Sequence, residues 1–472
     1  MRPPSQRDAL RRPALPALTV AALMLAAGPA PAAEQRVGEA ARTRLDLTVY
    51  NQDLALIAEA RRVALAQGEN TLALEGVSTL LRPETVLLRG AGLRLLEQTF
   101  AFDLITPQRL LSASVGHDVR VIREHPQTGE ETVVEARLLS VAEGPVLRIG
   151  DRIETGMPGR IVFDRLPDGV RERPTLLASV ESTAAGDAEV QLSYLSGGLS
   201  WRADYVVELN QAEERLDLTG LVTLSNTSGT SFPDAALRLV AGDVNVARQV
   251  VLGADARVQG MMAAAEAAPL PAPQAAGDVY VYRIDRPVTL TDRETKQVVL
   301  LAAQDVAVRK IYRFEAWAGN SDTDPRGASV ILEIDNKTEG GLGTPLPAGV
   351  VRVYRAAPGG KIFAGEDTIR HTPAGERVRL TLGSAFEVTG AATQTAFERI
   401  SDRSYESGQN ITLRNAKAEP VEVQIVGNLP PGWRMLEESA AHTPETANRI
   451  VWTLRIPGNG GADLSYRIRV NN

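Results

Sequence analysis

The chain has 472 residues and a formal net charge of −7, with 58 acidic against 51 basic residues, no cysteine and four histidines. Without cysteine there can be no disulfide, no thiolate metal site, no cysteine nucleophile and no lipid-modified cysteine. An acidic chain without a basic run interleaved with aromatics is a poor match for phosphate backbones, so no nucleic-acid partner is expected.

At the N-terminus, Arg2, Arg7, Arg11 and Arg12 precede an uncharged apolar run over 14–27, and Ala30-Pro31-Ala32 follows. This order of charge, apolar core and small-x-small site predicts a signal peptide over 1–32. The run is short for a membrane span, which needs ~20 residues. Export to the periplasm or the extracellular space is therefore expected. Cleavage removes four Arg and one Asp, leaving a more acidic chain. No second apolar stretch of membrane length appears, so no transmembrane segment is expected after signal removal.

Downstream the dominant signal is alternation. Val190, Leu192 and Tyr194 alternate with Gln191 and Ser193; Val378, Leu380 and Leu382 with Arg379 and Thr381; Ile450, Trp452, Leu454 and Ile456 with Val451, Thr453 and Arg455. Period two puts apolar residues on one face of a strand, and half-buried strands of this kind belong to antiparallel sheets. The fold class expected is all-β: several immunoglobulin-like β-sandwiches with a small SH3-like barrel inserted.

In chain order, 33–100 reads as part of an N-terminal sandwich, with four strands within 44–90. Thr106, Pro107 and Gly116 mark the N-cap, first position and C′ of a short helix. Residues 101–168 form the barrel insertion, with about five short strands. Residues 169–400 are a central sandwich region, interrupted by an Ala- and Pro-rich loop at 253–277 whose composition predicts disorder. A strand over Val244–Val251 precedes that loop. Residues 401–472 read as a self-contained C-terminal immunoglobulin-like sandwich. A weak repeat runs through this region: strands end in Asn226, Asn336 and Asn415, each followed by a polar loop, where Asn tolerates left-handed backbone and bonds its own loop.

Chemistry-bearing motifs are sparse. His117, His125, His371 and His442 lack metal-ligand spacing, and no nucleophile elbow or phosphate loop occurs. Asp322, Asp324, Gly327 and Glu333 mimic a calcium loop, but Arg326 stands where an oxygen ligand is needed. No cofactor or metal is expected. The densest unusual segment runs from Ser193 to Tyr205. Its candidate binding residues are Gly197, Gly198, Trp201, Arg202, Asp204 and Tyr205, with Asp243 further on. Trp201, Ala203 and Tyr205 share one face of a strand; Arg202 and Asp204 share the other and are close enough to pair. Two readings stand side by side: core aromatics over an outer ion pair, or a ligand groove beside the two glycines.

LSYLSGGLSWRADYVVEL, followed by LTGLVTLSNTSGTSFPDAALRLVAGDVN, resembles the exported bacterial family known as the domain of unknown function 4139, related to mucoidy-inhibitor proteins. VYNQDLALIAEARRVAL, VTLTDRETKQVVLL and ITLRNAKAEPVEVQIVG are similar to it too. The resemblance implies a multi-sandwich architecture and an envelope setting, and supplies no established activity. Glu387 stands where the family's pattern calls for Asp. The expectation is an envelope binding or scaffold protein whose partner is another envelope protein or a polysaccharide. The alternatives are a carboxylate hydrolase using Asp204 and Asp243, or a structural part of the cell surface.

Overall fold

The structure is a computed structural model, and it describes residues 34–101, 104–167, 169–242, 244, 274–276 and 279–471. The described chain is almost entirely β, with one α-helix, Pro107–Ala113. That helix begins as the sequence predicts. The Thr106 hydroxyl accepts from the Arg109 N–H at 3.0 Å, satisfying one of the first turn's orphan donors. Of the Ala- and Pro-rich segment 253–277, only Gln274–Ala276 is described; it pairs with Val279–Val281 as a strand. The rest of that segment, and all of the expected strand 244–251 beyond Val244, lie outside the described residues.

The strands form five sheets. The four expected within 44–90 divide between two of them. Gly68–Glu75 joins a four-stranded sheet, whereas Arg42–Tyr50, Leu54–Leu65 and Leu87–Gly90 join an eight-stranded one. A central five-stranded sheet runs in the order Glu294–Ala307, Arg215–Asn226, Leu199–Leu209, Gly349–Ala357, Gly360–Ile369. These three sheets share one core, in which Leu47, Leu74, Leu176, Tyr194, Trp201 and Val353 belong to a single cluster.

Leu93–Ala101 and Thr175–Ser182 pair with each other, so the residues between them are an insertion. It carries five strands, as expected, around Val121, Leu138 and Leu147. It is not a closed barrel. The last strand, Arg160–Val162, returns to Asp118–Glu124, while Arg152–Thr155 pairs only with Val146–Ile149. Closure would need Arg152–Thr155 to pair with Arg160–Val162, and no such ladder is found among the described residues; an Arg123–Glu154 ion pair links the fourth strand to the first.

Four of the five sheets are mixed: Gln35–Val37 runs parallel to Leu72–Leu74 in the four-stranded sheet, and in the eight-stranded, the central and the nine-stranded sheets one parallel pair each follows one of the three asparagines. After Asn226 the chain crosses over to Phe232–Ala241, which runs parallel to Arg42–Tyr50. After Asn336 it reaches Gly349–Ala357, parallel to Leu199–Leu209. After Asn415 it reaches Val421–Asn428, parallel to Arg309–Trp317. Each asparagine side chain holds its crossover. Asn226 Nδ2 donates to the carbonyls of Thr230, Leu290 and Thr291 at 2.9, 3.2 and 3.1 Å. Asn336 Nδ2 donates to Thr344 and Pro373. Asn415 Nδ2 donates to Glu419 and Pro457. Asn226 and Asn415 also accept from the N–H two residues on. None of the three is in the left-handed region; the residue is used for its side-chain amide, which satisfies buried carbonyls that would otherwise be orphaned.

The C-terminal body is a nine-stranded sheet with a core of its own. Trp452 is buried there and stacks on Tyr466 with ring centroids 4.9 Å apart. It does not begin at 401: Tyr312, Phe314, Ala328, Val388 and Ala392 belong to the same core. Asp322–Asp335 and Arg377–Ser401 pair along their length and serve both bodies. Leu332, Ile334, Val378 and Leu380 enter the larger core, and Ala328 and Val388 the smaller.

Candidate functional site

The predicted segment lies on the Leu199–Leu209 strand and the turn before it, and the chain itself fills the space around it. Gly198 has φ +78, and a Cβ there would lie 2.6 Å from Ser228 Cα. Its N–H donates to Asp53 Oδ1 at 2.9 Å. Gly198 thus admits the Asn226 crossover loop, and Gly197 lies beside Asp53 and Leu80, its N–H donating to the Leu80 carbonyl at 3.1 Å; the two do not line an open groove. Trp201 is 3% exposed; its indole N–H donates to the Val240 carbonyl at 3.2 Å, and its ring meets Tyr282 edge-on at 6.4 Å. Tyr205 is fully buried, its hydroxyl donating to the Pro347 carbonyl at 2.8 Å. A buried ring with a polar atom needs such a partner.

Arg202 and Asp204 occupy the opposite face, as alternation requires, and do pair, at 3.4 Å. Asp204 also accepts from the Thr223 hydroxyl at 2.8 Å and from Arg352 at 3.1 Å. Burial pushes its carboxyl up, but Thr223 and the two guanidiniums outweigh that and hold it below its ordinary value. Asp204 is therefore an ionised strut between strands. Asp243 lies outside the described residues.

At the other end of the same strand the molecule opens. A cavity of about 470 Å³ is lined by Glu208, Arg215, Asp305, Tyr354 and Lys361 among others. A second, of about 300 Å³, is lined by Glu213, Lys310, Leu382, Ile362 and Phe363 among others. The two share Leu209 and Arg355 as a common wall. The smaller cavity lies where the larger body meets the nine-stranded sheet, since Lys310 belongs to that sheet's strand Arg309–Trp317.

The hairpin after Leu209 is built for this position. Asn210 Oδ1 accepts from the N–H groups of Glu214 and Arg215, and Glu213 sits in the left-handed region at φ 57. A non-glycine residue there carries strain. The Glu213 carboxylate is held by Lys310 and by Arg355, the latter at 3.2 Å. Burial raises its pKa, but the two cations outweigh burial and hold it below the usual carboxylate value. Glu208 pairs with Lys361, and Arg215 with Asp305 at 3.4 Å. One aromatic ring lines each cavity: Tyr354 the larger, Phe363 the smaller, edge-to-face at 5.6 Å. Phe363 is 55% exposed.

Sequence reasoning missed this cleft because its residues come from five separate segments. One signal was available. The chain has only five lysines, Lys296, Lys310, Lys337, Lys361 and Lys417, and two of them line these cavities. Among the described residues no cluster of three or more His, Asp or Glu is arranged to hold a metal ion, and no helix is long and apolar enough to cross a membrane.

A family model described as a domain of unknown function, DUF4139, matches residues 190–472, a span that contains every residue of the cleft. No curated protein matches the chain.

Proposed function

The chain belongs to the DUF4139 family, and we propose that it works as an exported, non-catalytic binding or scaffold protein of the cell envelope, with the paired cavities at the foot of the central sheet as its contact surface. In this reading residues 1–32 direct export and the sandwiches are immunoglobulin-like frames that position the cleft. The observation that carries it is the state of the ionisable groups. Asp204, Glu208, Glu213 and Asp305 are each engaged by a cation from a neighbouring strand or segment. General acid–base work needs a proton held near the operating pH, whereas Asp204 and Glu213 are both held below their ordinary values. Such groups suit recognition better than proton transfer.

Site-specific photocrosslinking in intact host cells tests this. A photoreactive residue at 363 is expected to capture a discrete partner, and one at the exposed Val133 of the inserted sheet is not. Equal capture from both positions, or measurable turnover by the purified chain that Asp204→Asn abolishes without unfolding it, would count against the proposal.

A further inference from the structure

Resting on that reading of the cleft, we infer that its ligand is a neutral oligosaccharide. The first observation is charge. The walls of the two cavities carry Glu208, Glu213, Asp217 and Asp305 against Lys310, Lys361, Arg215 and Arg355. The balance is zero, and the signs are interspersed rather than segregated. A phosphate or uronate chain laid here would meet carboxylates beside every cation, and like charges brought together in a partly desolvated site repel.

The second observation is how those groups are held. Lys310 and Arg355 converge on Glu213, Lys361 engages Glu208, and Arg215 engages Asp305. Each pair is fixed between strands or between a strand and a turn, yet retains spare capacity, since a guanidinium has five N–H donors and a carboxylate about four acceptor positions. A fixed array of both donors and acceptors matches hydroxyl groups, which donate and accept at once. The Glu213–Lys310 pair, each side chain 20% exposed, needs the least reorganisation on binding; the Lys361–Glu208 and Arg215–Asp305 pairs are solvent-exposed and can turn towards a ligand.

The third observation is the aromatic pair. Tyr354 and Phe363 are in edge-to-face contact, one ring in each cavity wall. The C–H-bearing faces of a pyranose are apolar and pack on such rings while its hydroxyls point sideways. Both cavities fall in or near the ~300–1,000 Å³ range of small-molecule sites.

The remaining class, an extended peptide added as a strand, is disfavoured at the Phe363 side of the cleft. Gly360–Ile369 is the edge strand on that side, Glu294–Ala307 being the other edge of the sheet, and Arg377–Ser401 already lies against Gly360–Ile369. The Thr381 N–H donates to Asp367 Oδ2 at 2.7 Å, and a Cβ on Gly365 would lie 2.4 Å from the Leu382 carbonyl. An incoming strand finds no free ladder at this edge.

The test is ligand-observed NMR on the exported, purified chain with chitotetraose, cellotetraose and maltotetraose, alongside an alginate oligomer and an extended polar peptide as contrasts. At least one neutral tetrasaccharide is expected to bind. Phe363→Ala and Lys361→Met should each weaken it by about tenfold, the size of a typical anchor contact. Phe397→Ala, an exposed aromatic on the C-terminal body, should leave binding unchanged, and melting curves should agree for all variants. Binding by none of the neutral sugars overturns the inference, as does binding that survives both cleft variants. If the alginate oligomer or the peptide binds instead, and Phe363→Ala removes it, the cleft stands as a contact surface and the ligand class assigned here is wrong.

Discussion

The Leu199–Leu209 strand ends in two different environments. Its upper end is closed by the protein's own backbone: Ser228 against Gly198, the Val240 carbonyl on Trp201, the Pro347 carbonyl on Tyr205. Its lower end opens on cavities walled by paired charges. Both ends carry a carboxylate in a three-way contact, Asp204 with Thr223 and Arg352, Glu213 with Lys310 and Arg355. The difference is in what surrounds them. Around Asp204 the contacts tie neighbouring strands of one sheet. Around Glu213 they tie the hairpin tip both to Arg355 of the central sheet and to Lys310 of the nine-stranded sheet, beside a cavity. Conspicuous residue types mark where the chain packs on itself; convergence of ordinary charged residues from distant strands marks where something else can enter.

The sharpest way to break that contrast is at Trp201. Truncation of a buried Trp leaves a cavity and strands its neighbours, so Trp201→Ala should cost ~3–5 kcal/mol in denaturant unfolding. Trp317→Ala, at a ring that is 49% exposed, should cost well under that. Equal costs at the two positions would mean that Trp201 is not a core residue. Next comes the crossover that closes the upper end. Asn226→Ala removes the donor from three buried carbonyls, and leaving such groups unsatisfied should cost roughly 2–3 kcal/mol. Asn226→Asp should be no better, because a carboxylate then faces carbonyl oxygens. A neutral Asn226→Ala would show that water replaces the amide.

Much of the core was legible in the sequence. Alternation placed Val190, Leu192 and Tyr194, Val378 and Leu380, and Ile450, Trp452 and Ile456 inward, and all are buried; Leu382 and Leu454, placed inward by the same pattern, are only partly buried. It also put Arg202 and Asp204 on the face opposite Trp201 and Tyr205. Period two fixes which face of a strand is apolar; it says nothing about which sheet the strand joins or which neighbour it takes. For that reason the alternation within 44–90 does not show that Gly68–Glu75 joins a different sheet from its three neighbours. For the same reason the alternation after 401 does not show that Arg309–Trp317 and Arg377–Ser401 supply part of the same C-terminal core. The asparagine repeat was visible, but the parallel strand that follows each one is set by contacts more than a hundred residues away. The cleft was illegible because Glu208, Glu213, Lys310, Arg355 and Lys361 are ordinary surface residues one by one; only the topology brings them together.

A smaller effect is expected at Gly198. At φ +78, with Ser228 Cα 2.6 Å from the position of a Cβ, Gly198→Ala combines a left-handed backbone with a clash against main chain that cannot rotate away. A loss of about 1–3 kcal/mol follows. No loss would mean that the crossover loop moves freely, and the groove beside the glycines would then be open after all.

The smallest expected change lies at the lower end, and its sign depends on pH. Glu213→Gln keeps the shape of the side chain and removes the charge that Lys310 and Arg355 hold, which should cost roughly 1 kcal/mol at neutral pH for a partly exposed pair. The folded carboxyl titrates below its ordinary value of 4.5, so the folded state favours the ionised form. The stabilisation is therefore complete above the unfolded value and fades as pH falls through the lower, folded one. Glutamine does not titrate, so the stability gap between the two proteins should shrink on acidification from neutral pH to well below 4.5. Other carboxylates with lowered values, Asp204, Glu333 and Glu445 among them, also destabilise the fold in acid. They do so in both proteins and cancel in the difference. The Val308 N–H still donates to the Glu214 carbonyl at 3.1 Å, and Val308 is part of the larger core, so the hairpin should keep its place on the larger body. A gap that stays constant or widens in acid would show that the charge on Glu213 is not what holds the hairpin to Lys310, and that the lower end, like the upper, is held by packing.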